Sequence, residues 1–372
     1  MKLFYRYIYF FVFLTIILIF FYQYFDLLNN ILLIKKNNFS NDNKIAIVMI
    51  FDGENFMDYE VAINTTYCYS LQYNYMFEII DESDTSEYSV NCLQKDFMFR
   101  RHCILANFAS KFDGIINYIL FIDGDVGVIN PLHKIEEYLP KNDEEIIFYD
   151  RIFNKEIAAG SYIMRNSFFT RNLLNSFANY EVNVSSSNDG RDNVALQVVI
   201  LNLLNITMYV DEYDHCMELY KHSVGYDQNM MVASCTRWIL NRLDETPYNE
   251  NFYTYKGGKI RIVRKLSSKR WVRDAFLTLG KFCDNDFLHH GWKSNIINQN
   301  KYEKIFKSEF NPSDDLCRSS NFLSAWNLNL SSKVTCDKID YDIKMYIYYA
   351  DMYDIKHIYL SNITKFLDLK FE

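Results

Sequence analysis

Apolar positions along this chain fall into short unbroken runs, and these alternate with stretches in which apolar residues recur every three or four positions. IAIVMIF, Ile45 to Phe51, is a run of the first kind; it stops at the turn signal Asp52-Gly53 and reads as a buried strand. Phe56 to Tyr73 has helical spacing, Tyr75 to Ile80 reads as a second strand ending at Asp81, and Gln94 to Phe112 as a second helix. Ile115 to Ile122 is the third strand, too short to span a membrane and too rich in Ile and Phe for a loop. Strands are also expected at Glu145 to Tyr149, at Ile157 to Met164 with a break at Gly160, and at Lys259 to Arg264. Helices are expected at Ser167 to Tyr180 and Asp192 to Leu204, separated by the polar loop NVSSSNDGR, a candidate to cover a bound ligand. Strand, helix, strand, helix, strand implies an α/β fold built on a parallel, Rossmann-like open sheet with helices on both faces. Beyond about residue 300 the pattern gives few signals.

The N-terminus departs from this alternation. Tyr7 to Phe25 carries no charge, and roughly 19 residues at about 1.5 Å each reach the thickness of a bilayer core. Lys2 and Arg6 precede it, which favours a cytoplasmic tail at 1–6, a transmembrane helix serving as signal anchor at 7–25 and everything later in a secretory lumen. A cleaved signal peptide is the rival reading, but no small-residue cleavage site follows the run. Residues 26–43 then form a short stem, 44–300 the main domain and 301–372 an extension of unassigned role. All eight cysteines lie beyond the span, an even number that suits an oxidising compartment but does not reveal its pairing. Sequons at Asn38, Asn64, Asn183, Asn205, Asn329 and Asn362 point the same way.

Composition narrows the function classes. A formal charge of −8 with no basic tract argues against a nucleic-acid partner, which would need a cationic surface to displace counterions. There is no G-x-G-x-x-G and no G-x-x-x-x-G-K-[ST], so neither a dinucleotide site nor a P-loop is indicated. What the sequence does offer is Asp123-Gly124-Asp125 at the end of the third strand. Ligands of open α/β sheets bind at carboxyl ends of strands, and two hard oxygen donors there suit Mn²⁺ or Mg²⁺ bridging to a diphosphate. The spacing alone is also that of an ordinary strand-end turn.

Several blocks accompany it: CLQKDFMFRRHC at 92–103, FIDGDVGVINP at 121–131, FYDRIFNKEIAAGSY at 148–162, NDGRDNVAL at 188–196, WVRDAFLT at 271–278 and DFLHHGWK at 286–293. In this order they resemble a nematode-expanded domain-of-unknown-function family of glycosyltransferase-like type II membrane proteins, similar to the metal-dependent GT-A transferases of the galactosyl and xylosyl kind. The family more often has Ala where this chain has Gly124, and Gly where it has Val194.

The resemblance implies a GT-A-like fold and a glycosyltransferase of the Golgi or ER. It would pass a hexose or pentose from a nucleotide sugar, with UDP-sugar the expected donor, to a glycan acceptor, with retention. Asp123 and Asp125 would hold the Mn²⁺ or Mg²⁺, with His290 or the adjacent His289 as third ligand and Lys293 facing diphosphate; a plain surface histidine is the alternative. Arg100 and Arg101 would reach the diphosphate or base. Asp192 and Asn193 would flank the anomeric carbon, although a helix N-cap explains Asp192 equally well. Gly160 and Ser161 would offer backbone contacts, against a strand bulge. Trp271 and Trp292 would stack on sugar, or lie in the core. Two rivals stay open. One is a haloacid-dehalogenase-type phosphatase with Asp123 as nucleophile; the other is a lumenal binding protein that kept the fold without turnover.

Overall fold

All seven residues of the first strand, β1 (Ile45–Phe51), are buried, as a strand with no polar position requires. The computed structural model describes residues 44–53, 56–82, 87–184, 191–293 and 305–363. The expected span at 7–25 and stem at 26–43 lie outside the described residues, and among those described no helix is long and apolar enough to cross a membrane.

After β1 come α1 (Glu60–Tyr73), β2 (Met76–Asp81), α2 (Phe97–Lys111) and β3 (Tyr118–Ile122). α1 ends where Asn74 turns left-handed at φ 56°, and α2 begins where the Asp96 side chain accepts from the Met98 amide at 2.9 Å. β4 (Val126–Val128), β5 (Ile146–Tyr149) and β6 (Ser161–Arg165) follow, then α3 (Phe168–Asn179), α4 (Arg191–Leu203), α5 (Val210–Lys221) and α6 (Gly225–Leu243). The chain continues through β7 (Phe252–Tyr255), β8 (Ile260–Val263), β9 (Val272–Asp274) and β10 (Leu288–His290) to α7 (Asp314–Arg318) and α8 (Cys336–Ser361).

The large sheet has the order β2-β1-β3-β6-β5-β8-β7. β1 is parallel to β2 and β3, as the alternation of strands and helices implies, but the sheet is mixed. β6 runs antiparallel to both β3 and β5, and β7 antiparallel to β8. The all-parallel expectation fails because a strand buried on both faces reads the same in either direction. β5 returns through residues 150–160 into its own neighbour instead of crossing over with a helix.

Alternate residues of the central strands feed two cores. Val48, Ile50 and Phe121 face α2, α3, α4 and α6 through Leu105, Phe177, Leu196 and Ile239. Ile47, Met49 and Leu120 face α1, a small second sheet and residues past 300, through Tyr69, Val128, Leu288, Phe310 and Trp326. Each fully buried Ile or Phe here contributes about 1.5–3 kcal/mol. The described residues beyond 300, set apart in the sequence, belong to the same unit as β1 and complete the second core.

The small sheet is β4-β10-β9, with β10 antiparallel to β4 and parallel to β9. Four disulfides fix the pairing that the sequence left open: Cys68–Cys317, Cys92–Cys103, Cys216–Cys235 and Cys283–Cys336.

Candidate functional site

β3 and β4 are joined by Asp123-Gly124-Asp125 alone, so the chain leaves the large sheet and enters the small one at the two carboxylates. Gly124 lets the turn pack against the Phe51 ring, which a Cβ at this position would push aside. The small sheet's register then brings the third group. In β10, His290 lies opposite Val126 on one side and Asp274 on the other, while His289 lies opposite Gly127 and Arg273. Because neighbouring residues of a strand face opposite ways, only His290 reaches Asp125, with Nε2 3.3 Å from its Oδ1. His289 is fully buried and contacts the Arg273 guanidinium at 2.9 Å.

Asp123, Asp125 and His290 each present an atom within 4.8 Å of the others, close enough to share one ion. Two carboxylate oxygens and an imidazole nitrogen are a donor set that suits Mn²⁺ or Mg²⁺. The other imidazole nitrogen, Nδ1, is 2.7 Å from Asp274 Oδ1. A carboxylate in that position fixes the ring and its tautomer, as behind many metal-binding histidines. Arg151 approaches the same Asp274 oxygen at 3.5 Å.

The cavity around these groups measures about 390 Å³, within the range of small-molecule sites. Five carboxylates line it, those of Asp52, Asp123, Asp125, Asp192 and Asp274, against Arg101, Arg151, Lys293 and His290. Burial works against charge on Asp123 and, despite Arg101, leaves its pKa raised, with Asp125 adding to the effect. Asp125 is also penalised by burial, but His290 and Lys293 outweigh this and hold it below the usual carboxylate range. Burial alone would lower His290; Asp125 and Asp274 on either side push it well up. The two flanking carboxylates thus favour the protonated form of His290.

On the opposite wall, Arg101 of α2 bridges Asp123 and Asp192, reaching Asp192 Oδ2 at 2.6 Å. Asp192 is in the first turn of α4, inside the helix and not at its N-cap, so the cap role is not the one observed. Burial raises its pKa, and Arg101 and His102 overcome that to keep it low. Its Oδ1 is buried with no hydrogen-bond partner among the described residues. Asn193 turns the other way, accepting from the Ala159 amide at 2.9 Å and so fixing the backbone that leads to Gly160. The Gly160 carbonyl accepts from the Asp123 amide at 2.8 Å, and a Cβ at Gly160 would overlap the Asp123 carboxylate. The missing side chain makes room for the Asp123 carboxylate.

Lys293 lines the cavity, its ammonium 5.6 Å from the Tyr59 ring centre. Three expectations need correction. Arg100 points away, paired with Glu82 and donating to the Gln94 carbonyl at 2.8 Å, because neighbours on a helix face about 100° apart and Arg101 takes the inward position. Trp271 and Trp292 are 1% and 0% exposed and cannot stack on a sugar; Trp271 donates to Ser161 Oγ at 3.0 Å, and Trp292 packs over Gly127. Asp274 and Arg151 had no assigned role, though both sit in quoted blocks. An acidic residue closing a short strand, as Asp123 closes β3, was the signal for Asp274.

No curated protein matches the chain. Among solved structures, a glycosyltransferase involved in the glycosylation of the major capsid of PBCV-1 shares 16% identity at a TM-score of 0.29, over 37% of this chain and 66% of that one. The profile of the family described as protein of unknown function, DUF273, matches residues 66–307, more than half of the chain. With the D-x-D turn, the histidine strand and the Arg101 wall all inside that span, this chain is a member of the DUF273 family.

Proposed function

We propose that the protein is a metal-dependent glycosyltransferase that moves a hexose or pentose from a nucleotide sugar, a UDP-sugar by preference, to a hydroxyl of a glycan acceptor. The observation that carries this reading is the convergence of Asp123, Asp125 and His290 at the carboxyl end of β3, in a cavity that also holds Lys293. Those three residues would hold Mn²⁺ or Mg²⁺, which supplies charge neutralisation for a departing diphosphate. Lys293 adds a cation at the rim for the same phosphates, and Tyr59 and Asp52 offer an aromatic face and a hydrogen-bond acceptor to a base. In the transfer, the bond from the anomeric carbon to the diphosphate oxygen breaks and one to the acceptor oxygen forms, with loss of the acceptor proton. Asp192, aligned by Arg101 and with one oxygen unpartnered among the described residues, would accept from a sugar hydroxyl and stabilise positive charge at that carbon. An anchor at 7–25 would put this chemistry in the secretory lumen.

The phosphatase reading needs Asp123 as an unencumbered attacking carboxylate, whereas Arg101 holds it from α2. That contact favours the transferase. Calorimetric titration of UDP with Mn²⁺, together with hydrolysis of a UDP-sugar panel and of p-nitrophenyl phosphate, tests the proposal. UDP binding should require Mn²⁺ and should vanish in Asp125→Ala with the fold intact. Equal UDP affinity in excess chelator, or phosphate ester turnover without UDP-sugar turnover, would reject it.

A further inference from the structure

The last long helix, α8, has two apolar faces, and only one is covered by the described residues. Ile339, Ile343, Ala350 and His357 are buried towards the body of the protein. Ile339 and Ile343 pack with Ile152, Leu277 and Cys283, and the Cys283–Cys336 disulfide ties down the helix start. On the opposite side stand Tyr341, Met345, Tyr348, Met352, Ile355 and Tyr359, which are 63%, 43%, 58%, 52%, 64% and 77% exposed. Their spacing is four, three, four, three, four. That is the repeat of a two-helix seam, with Met345, Met352 and Tyr359 at one core position of the heptad and Tyr341, Tyr348 and Ile355 at the other. A solvated helix face has no need of such a repeat over more than two heptads.

We infer that α8 pairs with α8 of a second copy of this chain, the two helices running antiparallel about a twofold axis near residue 350. Two features select a second copy as the partner. The first is area: the six side chains expose roughly 700 Å² together, so self-pairing removes about 1,400 Å² from water, inside the range of stable dimers. The second is charge. In the heptad frame, Asp342, which already accepts from Lys338 of its own helix at 2.6 Å, and Lys356 flank the seam at its two ends, and an antiparallel pair sets Asp342 beside the partner's Lys356 twice over. A parallel pair would set Asp351 beside the partner's Lys356 but would bring Asp337 against the partner's Asp342. Asp351, which approaches its own copy near the axis, is already paired to Lys155 at 2.9 Å. None of the six seam residues lines the D-x-D cavity, so pairing leaves the lining of each site unchanged.

Sedimentation equilibrium of the full chain in a density-matched mild detergent, across about 1–50 μM, tests this. The expected mass is twice 44.5 kDa. Tyr348→Lys combined with Met352→Lys should weaken association at least 100-fold and leave the protein monomeric, with melting temperature and UDP binding unchanged. Tyr348→Leu with Met352→Leu, which suits the seam better, should tighten it. A wild-type monomer across the range overturns the inference, whether the seam is then covered by the apolar N-terminal stretch or by lipid. A dimer that survives the lysine pair also overturns it.

Discussion

At the scale of single residues, the candidate site is shaped by groups that act through their neighbours. Asp274 is the clearest: burial opposes its charge, yet Arg151 and His290 hold its pKa far below the usual range, so it stays ionised against Nδ1 of His290. Asp274→Asn is expected to weaken Mn²⁺ binding about 10- to 100-fold while leaving Asp123 and Asp125 in place. Titration with Mn²⁺ alone measures this, and an unchanged affinity would remove Asp274 from the metal centre. His102 makes a different prediction. It is fully buried, accepts from or donates to the Tyr162 hydroxyl at 2.9 Å, stacks on Phe177 and has its pKa pushed down to about 4. Burial is the main cause, with Arg101 adding to it and Asp192 opposing. Between pH 6.5 and 4 the unfolded chain binds a proton on His102 that the folded chain refuses, so acid favours unfolding in that window. Above 6.5 both states are neutral and the contribution is complete. The loss on going to pH 4 is up to about 3 kcal/mol from this group. Urea midpoints from pH 7 to 4.5 should fall less steeply in His102→Gln than in wild type; parallel slopes would mean another group is responsible.

At the scale of elements, what the sequence discloses depends on how an element is buried. β1 and β3 are legible because both faces are covered and every position is apolar, and α2 because Asp96 caps it and Lys111 closes it. The three-residue strands β4, β9 and β10 are too short for any periodic signal, yet they decide which histidine meets Asp125. The sequence left His289 and His290 nearly equal because the alternation that separates them belongs to a strand it did not show. α8 was missed for the opposite reason: apolar residues on two faces blur its period. α4 combines both cases. It was expected over Asp192 to Leu204 and is described over Arg191–Leu203, but the contact from Asn193 to the Ala159 amide is non-local and has no sequence signature. Asn193→Ala leaves that buried amide unpaired and should cost about 1–3 kcal/mol in urea unfolding. It should also weaken UDP binding in Mn²⁺ by loosening Gly160 behind Asp123. If stability falls and UDP affinity does not, Asn193 serves the fold alone.

For the whole molecule, the disulfides matter through their order. Cys92–Cys103 and Cys216–Cys235 close short local loops, but Cys68–Cys317 and Cys283–Cys336 interleave. One backbone cut anywhere between Cys68 and Cys336 is therefore always spanned by a bridge. Limited proteolysis should give a single band of full mass on a non-reducing gel and two fragments after reduction; separation without reductant would contradict the pairing. The same interleaving bears on how the protein is made. Synthesis delivers thiols in sequence, and the partner of Cys68 arrives 249 residues later, after Cys92, Cys103, Cys216, Cys235 and Cys283 have all passed. At about 5–20 residues per second that is a wait of roughly 10–50 s, during which pairing in order of arrival would join Cys68 to Cys92. A cell that makes this protein must either shield an early thiol or undo such a mistake, so its yield follows the supply of thiol-exchange catalysts more closely than the strength of either core.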